Sequence, residues 1–207
     1  MTEEDPLPGG SDLGEPVWDA WRPEEVARRL AGTAVPWYVA AGWAVDLFVG
    51  RPTREHGDLE IGVPAGGFGA VRSALTGYEF DVVGHGHLRW PVESPAFHHF
   101  FQTWVREPAT GIYRLDVFRE PHDRDLWICR HDDSIRLPYS RIISVTTAGI
   151  PYLVPEIVLL FKAKRAELPK NEADFTAVLP LLTAAQRSWL RESLTRIHPG
   201  HRWIAAL

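Results

Sequence analysis

Two carboxylates, Asp58 and Glu60, stand two residues apart in a short apolar run. On a β-strand this spacing points both side chains to one face, whereas Leu59 and Ile61 point to the other. Neighbouring carboxylate oxygens are the hard anionic ligands that Mg²⁺ prefers. The spacing therefore predicts a strand over 58–63 that carries a metal seat; the alternative is a pair of solvated charges on an edge strand.

A glycine, Gly42, separates a short apolar run over 37–40 from a second apolar segment that begins at Trp43 and stops at Gly50. This pattern predicts a strand, a tight turn and a two-turn helix over 43–49. A glycine at a helix N-terminus lets backbone amides approach a phosphate closely. The glycine turn and the carboxylate pair together indicate transfer of a phosphate-containing group.

Asp116 is the candidate third carboxylate. It interrupts an apolar run, between Leu115 and Val117, in a strand predicted over 111–118. A buried aspartate costs free energy unless it binds a metal or a cationic partner. The alternative to a catalytic role is an ion pair with Arg114, or with another arginine, at a sheet edge.

Three basic side chains are candidate phosphate contacts. Arg54 is suited to a two-pronged bond with a phosphate, or with the carboxylate of Glu55 or Asp46. For His56 we weigh a ligand contact against a histidine that orders its loop by bonding backbone. Lys162 lies near the C-terminal end of an apolar helix, where a cation is favoured in any case.

The run over 41–61 resembles the polymerase-β-like nucleotidyltransferase superfamily, and within it the aminoglycoside 2''-adenylyltransferase and lincosamide nucleotidyltransferase branch. That branch carries Gly-Trp-x-x-Asp, a short spacer, Gly-Arg/Lys and then Thr-Arg-Glu-His-x-Asp-x-Asp. The matching positions are Gly42-Trp43, Asp46, Gly50-Arg51, Thr53-Arg54-Glu55-His56 and Asp58. Two departures stand out: Glu60 replaces the usual Asp, and Ala41-Gly42-Trp43 lacks the Ser of the wider superfamily.

The resemblance implies an enzyme that uses Mg²⁺ and ATP to transfer a nucleotidyl group, AMP, to a hydroxyl of a small molecule such as an aminoglycoside or lincosamide-like antibiotic. The catalytic and metal-binding residues it implies are Asp58, Glu60 and Asp116, with Asp116 a metal ligand, a general base or both. The expected nucleotide contacts are Gly42, Trp43, Arg54, His56 and Lys162. The alternative is a protein of the same fold that modifies or binds a protein partner, as in toxin–antitoxin pairs, or that is catalytically weakened.

The fold expected to position these residues is α+β. A small mixed β-sheet core with flanking helices is predicted over 17–148, and a helical C-terminal subdomain over 149–207. Residues 1–16 are acidic and broken by Pro and Gly, which predicts a flexible tail. A strand is expected over 98–105, a poorly patterned loop before it, and irregular structure over 119–140 apart from a short strand near 126–128.

Composition narrows the class of partner. A net charge of −5 over 207 residues argues against binding a polyanion such as nucleic acid, and is compatible with a cationic acceptor. No apolar run is long enough to span a bilayer, so no membrane partner is expected. The single cysteine, Cys129, suits a reducing cytoplasm. Acceptor identity and oligomeric state are left open, because specificity loops carry no recognisable code.

Overall fold

The computed structural model describes Leu7 and residues 9–207. Its strands are β1 Ser11–Asp12, β2 Tyr38–Val39, β3 Glu60–Pro64, β4 Glu79–Gly84, β5 Leu88–Pro91, β6 Gln102–Arg106, β7 Tyr113–Glu120, β8 His122–Asp123, β9 Leu126–Cys129, β10 Asp132–Pro138, β11 Ile143–Val145 and β12 Pro151–Leu153. Its α-helices are α1 Pro23–Arg29, α2 Ala41–Val49, α3 Phe68–Ala74, α4 Ala96–His99, α5 Tyr139–Ile142, α6 Pro155–Ala163, α7 Pro169–Val178 and α8 Ala184–Ile197. Short 3₁₀ helices cover Ala65–Gly67, Leu179–Leu181 and Arg202–Ala206.

The chain forms two compact units, and each takes two separate stretches of sequence. The first contains the described residues up to Pro36 together with Gly57–Glu120; the second contains Trp37–His56 and Pro121–Leu207. The boundary expected between residues 148 and 149 is a different division of the chain, and it stays a prediction. Part of the expected tail is in a strand, because β1 pairs with β5, whereas residues 1–6 and 8 lie outside the described residues.

The first unit is built on a sheet whose strands run in the order β1-β5-β4-β6-β7-β3. Its pairs are antiparallel except for β3 and β7, which run parallel, so the expected mixed sheet of an α+β fold is confirmed. One face of this sheet is apolar and fully buried. The residues at 0% exposure on its strands and in the extension of β3 include Leu59, Ile61, Val63, Val82, Val105, Leu115 and Val117.

Two local expectations in the first unit are wrong. The segment 98–105 is not one strand, because helix α4 ends at His99 and β6 begins at Gln102. The preceding stretch is not a loop throughout, since it contains β5 and α4. Arg119 explains this local order: its guanidinium donates to the carbonyls of Phe97 and Phe100 and to the Thr103 hydroxyl. The contacts of one buried cation, distant in sequence, therefore override the local pattern.

The second unit combines helices with two groups of paired strands. Strand β12 pairs parallel with β2 and antiparallel with β11, and β8, β9 and β10 form an antiparallel sheet. The short strand expected near 126–128 is confirmed as β9, but the expectation of irregular structure over the rest of 119–140 is wrong, because charged β10 residues pair with β9 across a register shift. Helix α6 is the apolar centre of this unit, with Ile157, Val158, Leu159 and Leu160 all buried. No helix formed by the described residues is long and apolar enough to cross a membrane.

His131 is half-buried in the second unit, after β9. Its ring lies edge-on to Phe161, with centroids 4.9 Å apart, and 6.3 Å from the ring of His198. Burial first, and then the positive charges of Arg130, Lys164 and His198, lower the pKa of His131 from 6.5 to about 4. The imidazole is therefore neutral in the folded protein at pH 7.

This burial gives a pH dependence of stability with a definite sign. His131 has a pKa of 6.5 in the unfolded chain and of about 4 in the folded protein. Between these two pH values the unfolded chain binds a proton that the folded protein does not, so the free energy of unfolding falls as pH falls. We expect His131→Phe to flatten the decline in urea midpoint between pH 7 and pH 5. His99→Gln, at an exposed histidine, is the control. An unchanged decline in His131→Phe would contradict the assignment.

Candidate functional site

Two of the three predicted carboxylates, Glu60 and Asp116, lie on neighbouring strands of the first unit, β3 and β7. In the parallel register of these strands Glu60 is paired with Asp116, so both side chains point to the same face. The ladder continues one residue further, because the Asp116 N–H donates to the Leu59 carbonyl at 2.9 Å. Asp58 is exposed and lies two residues before Glu60, at the entrance to the strand. The structure therefore places Glu60 and Asp116 side by side on neighbouring strands.

Asp116 is 3% exposed and is oriented by a neighbouring strand. The side-chain amide of Gln102 on β6 donates to its Oδ2 at 2.5 Å. Arg114, the expected alternative partner, instead pairs with Asp19 and Glu107. Gln102 is a site residue that sequence reasoning missed. Gln102 lies two residues before Trp104, the register partner of Asp116 on β6, so its side chain points to the same face as Asp116. This spacing of two was the signal in the sequence.

The donor chemistry of this face suits Mg²⁺. Among Leu7 and residues 9–207 there is no group of three or more His, Cys, Asp or Glu side chains that could hold a metal ion. Mg²⁺ in nucleotide-dependent enzymes is usually held by one or two carboxylates, with substrate phosphates and water completing its octahedron. Glu60 and Asp116 supply two carboxylates on one face of the sheet, and their role as metal ligands stays a prediction.

In the second unit, Asp46 holds the segment that precedes the carboxylate strand in sequence. Asp46 is 5% exposed and lies on α2. Its Oδ1 accepts bonds from the backbone N–H of Thr53, at 2.9 Å, and from the Thr53 hydroxyl. Its Oδ2 lies 2.8 Å from Nε2 of His56, and the His56 ring stacks on Trp43 with centroids 4.6 Å apart. One buried carboxylate thus fixes both ends of the segment 53–56.

The chemistry of His56 follows from this environment. Burial lowers the pKa of His56, although its hydrogen bond to Asp46 acts in the opposite direction. The imidazole is therefore neutral at pH 7, and we assign its proton to Nε2 because the Asp46 carboxylate is an acceptor. His56 orders its loop through the Asp46 side chain rather than through backbone. Its predicted contact with a nucleotide stays a prediction, as does that of Trp43.

Arg54 and Lys162 share a single buried anion, Asp174, which is 0% exposed. Arg54 donates from Nε to Oδ1 at 3.1 Å and from Nη2 to Oδ2 at 3.4 Å. Nζ of Lys162 lies 2.7 Å from the same Oδ2. Arg54 thus forms the expected two-pronged bond, with Asp174 rather than with Glu55 or Asp46. Their nucleotide contacts stay predictions.

Gly42 is required by close packing at the start of α2. A β-carbon on Gly42 would lie 2.7 Å from the His56 ring and still closer to Nη2 of Arg54. The residue before it, Ala41, has φ of 48°, a left-handed conformation that costs a residue other than glycine free energy. The backbone at this turn is thus strained at Ala41 and crowded at Gly42.

Asp174 is the second site residue that sequence reasoning missed. It lies on the inward face of α7 with Asn171, Phe175 and Val178, at the spacing that marks the buried side of a helix. A carboxylate on the buried side of a helix needs a cationic partner, and this position of Asp174 was the signal that could have identified it. Asp46 was visible in the motif match, but its role was not.

Part of the chain is similar to a known protein family. Residues 24–95 of the 207 match the family Aminoglycoside-2''-adenylyltransferase. No curated protein sequence matches the chain. The fold is similar to the solution structure of the antibiotic-resistance factor ANT(2'')-Ia, with a TM-score of 0.54 and 13% identity over 84% of this chain and 89% of that chain.

Two further solved structures share this fold. The crystal structure of ANT(2'')-Ia in complex with adenylyl-2''-tobramycin gives a TM-score of 0.55 and 14% identity, over 84% of this chain and 95% of that chain. The crystal structure of the lincosamide antibiotic adenylyltransferase LnuA with bound lincomycin gives a TM-score of 0.54 and 17% identity, over 77% of this chain and 95% of that chain. With the family match, this likeness of fold confirms the resemblance to the antibiotic nucleotidyltransferases.

Substitutions at the adjacent residues Ala41 and Gly42 are predicted to change the free energy of unfolding in opposite directions. Ala41→Gly removes the left-handed strain, so we expect the free energy of unfolding to rise by about 1 kcal/mol. Gly42→Ala forces Arg54 and His56 aside, and we expect a loss of about 1–3 kcal/mol. Urea denaturation of both variants measures these changes.

The control for this pair is Gly69→Ala in α3, where an added β-carbon meets nothing within 4 Å. It replaces glycine by a better helix former, so it is expected to be neutral or stabilising by up to about 1 kcal/mol. A Gly42→Ala variant as stable as the parent would mean that Arg54 and His56 do not fill this space.

Proposed function

We propose that this nucleotidyltransferase, similar in fold and motif to the aminoglycoside and lincosamide branch, transfers AMP from ATP to a hydroxyl group of a small molecule in a Mg²⁺-dependent reaction. An aminoglycoside or a lincosamide-like antibiotic is the proposed acceptor. The similar ANT(2'')-Ia was solved with adenylyl-2''-tobramycin and LnuA with lincomycin, which supports an antibiotic of one of these classes. A reducing cytoplasm is the proposed location.

The observation that carries this proposal is the register of β3 and β7, which sets Glu60 opposite Asp116. In the proposal Glu60 and Asp116 are the first ligands of the metal, and Asp58, which forms no metal-binding group of three with them in this structure, is proposed to join them when the metal binds. Mg²⁺, when bound, supplies positive charge to the phosphates of ATP. The chain itself supplies fixed carboxylates on rigid strands, and positioning of this kind is most of what a phosphoryl-type transfer asks of a protein.

Asp116 is proposed to act as metal ligand, as general base, or as both. As a base its carboxylate accepts the proton of the acceptor hydroxyl while that oxygen forms a bond to the α-phosphorus of ATP. The bond between the α-phosphorus and the bridging oxygen breaks, and pyrophosphate leaves with the bonding electrons. The Gln102 amide, bonded to Oδ2 of Asp116, fixes the direction in which the carboxylate is presented.

Five residues are proposed to contact the nucleotide. Arg54 and Lys162 bring two positive charges to one carboxylate, which leaves a surplus that suits phosphate. Gly42, Trp43 and His56 are proposed to contribute at the adjoining start of α2, the part of the chain that carries the family motif. Because the overall charge is −5, a cationic acceptor is the better match for this chain.

The alternative proposal is a protein of the same fold that modifies or binds a protein partner, or that is a weakened enzyme. The replacement of the usual Asp by Glu60 is what favours it. Against it, Asp58, Glu60 and Asp116 are all present as carboxylates. Activity without any partner protein distinguishes the two proposals.

The direct test is pyrophosphate release with MgATP and a panel of aminoglycosides and lincosamides. We expect release that depends on the acceptor, that disappears with EDTA, and that is lost in Asp58→Ala. Because Asp58 is exposed, its removal should leave the melting temperature level. Acceptor-dependent release that persists undiminished in Asp58→Ala would contradict its assignment as a metal ligand.

Glu60 generates a second prediction. Glu is one methylene longer than Asp, so the exchange moves its oxygens by about 1 Å at a site where small misplacements lower the rate. Mg²⁺ tolerates such mismatch poorly. If Glu60 is a proper ligand, Glu60→Asp lowers kcat and Glu60→Gln lowers it much further. A strong gain in kcat with Glu60→Asp would favour the weakened-enzyme alternative, and no effect of either change would exclude Glu60 as a ligand.

A further inference from the structure

Asp174 is a buried anion whose partners are the two basic residues proposed to contact the nucleotide. It is 0% exposed, whereas the side chains of Arg54 and Lys162 are 23% and 10% exposed. Its two oxygens accept the Nε and Nη2 bonds of Arg54 and contact Nζ of Lys162. The carboxylate therefore lies behind the cations, and the cations carry the accessible surface.

The charges of this cluster do not cancel. Arg54 and Lys162 contribute two positive charges and Asp174 one negative charge, so a surplus of one positive charge remains. A guanidinium has five N–H donors in a fixed plane. Asp174 takes bonds from Nε and Nη2, and the Glu55 carbonyl takes one from Nη1 at 3.0 Å. The inner edge of the guanidinium is thus fixed, and its outer edge is directed away from Asp174.

The start of α2 adds to this positive potential. Nη2 of Arg54 occupies the space beside Gly42, within the first turn of the nine-residue helix Ala41–Val49. The first amides of a helix carry partial positive charge, so a guanidinium there is unfavourable unless anions are near. Asp174 offsets part of this cost. A polyphosphate is the kind of ligand that offsets the rest.

We propose that Asp174 is a positioning residue for the nucleotide: it holds Arg54 and Lys162 in the arrangement that binds the triphosphate, without touching the nucleotide itself. This rests on the proposed function, because it takes Arg54 and Lys162 as phosphate contacts. Fixing two flexible cations before binding removes the ordering cost that they would otherwise incur when the ligand arrives. A merely structural Asp174 would stabilise the fold and leave nucleotide affinity unchanged.

The test is Asp174→Asn, which keeps the shape of the side chain and removes its charge. We expect the Kd of MgATP, measured by calorimetry without acceptor, and the KM of MgATP to rise at least about tenfold, as when other supporting partners of a ligand site are removed. The KM of the acceptor should stay within about twofold. Binding of inorganic tripolyphosphate should weaken in parallel, because the effect is on the phosphates.

The matched control is Glu172→Gln on the same helix. Glu172 also holds an arginine, Arg202, at 2.6 Å and accepts a bond from the Trp203 indole at 2.9 Å, so the variant removes a comparable ion pair. It has no contact with Arg54 or Lys162 among the bonds described above, and we expect wild-type affinity for MgATP. A loss of affinity equal to that of Asp174→Asn would overturn the proposal, because it would show a general effect of loosening α7.

Asp174→Asn leaves two partly buried cations without their anion, so its folding is measured as well. The double variant Asp174→Asn/Lys162→Met removes one cation together with the carboxylate and keeps the surplus of one positive charge. We expect it to fold and to bind MgATP at least as weakly as the single variant, because Arg54 is no longer held and Lys162, itself a proposed phosphate contact, is absent. Wild-type affinity in this double variant would overturn the proposal.

Failure of this inference and failure of the proposed function give different results. If the wild-type protein binds MgATP and releases pyrophosphate while Asp174→Asn shows only a lower melting temperature, the positioning role is overturned and the proposed function stands. If the wild-type protein itself neither binds MgATP nor releases pyrophosphate with any acceptor, the proposed function is overturned, and this inference with it.

Discussion

The pairing of Glu60 with Asp116 across parallel strands is the interaction on which the proposed chemistry depends. Neighbouring strands are about 4.8 Å apart, and like charges directly opposite each other destabilise a sheet. The opposite face of the same strands is fully buried, with Ile61 and Val117 at 0% exposure. A slip of one residue would turn the carboxylates into the core. The apolar core therefore fixes the register, and the register fixes the distance between the two carboxylates.

A second constraint acts through buried anions in the other unit. Asp46 holds Thr53 and His56, and Asp174 holds Arg54. These three residues belong to the segment 53–56, whose last residue precedes Glu60 by four positions in the sequence. Buried carboxylates without a cation or hydrogen bonds are costly, so each of these contacts is strongly determined. The segment owes its order to side-chain chemistry, since it has no regular secondary structure of its own.

The sequence indicates the carboxylate face well because the signal is local. Alternation in 58–61 and 115–117 places polar residues on one side and apolar residues on the other, and the motif match runs without a break. The contact between Arg54 and Asp174 is different, since it joins residues 120 positions apart. No local pattern identifies that partner, so the sequence indicates only a phosphate or the nearer carboxylates of Glu55 and Asp46 as partners of Arg54. The sheet of β8, β9 and β10 was missed for a related reason: a short, charged strand with a register shift has no clean alternation.

In the proposed reaction the α-phosphate of ATP moves, as part of AMP, to a hydroxyl of a small acceptor. The most direct measurement compares ATP labelled at the α-phosphate with ATP labelled at the γ-phosphate, each incubated with the protein, Mg²⁺ and an aminoglycoside or lincosamide. The account predicts that the α-label appears on the acceptor and that the γ-label appears only in pyrophosphate. Transfer of the γ-label to the acceptor, or retention of both labels in ATP with every acceptor of both classes, would contradict it.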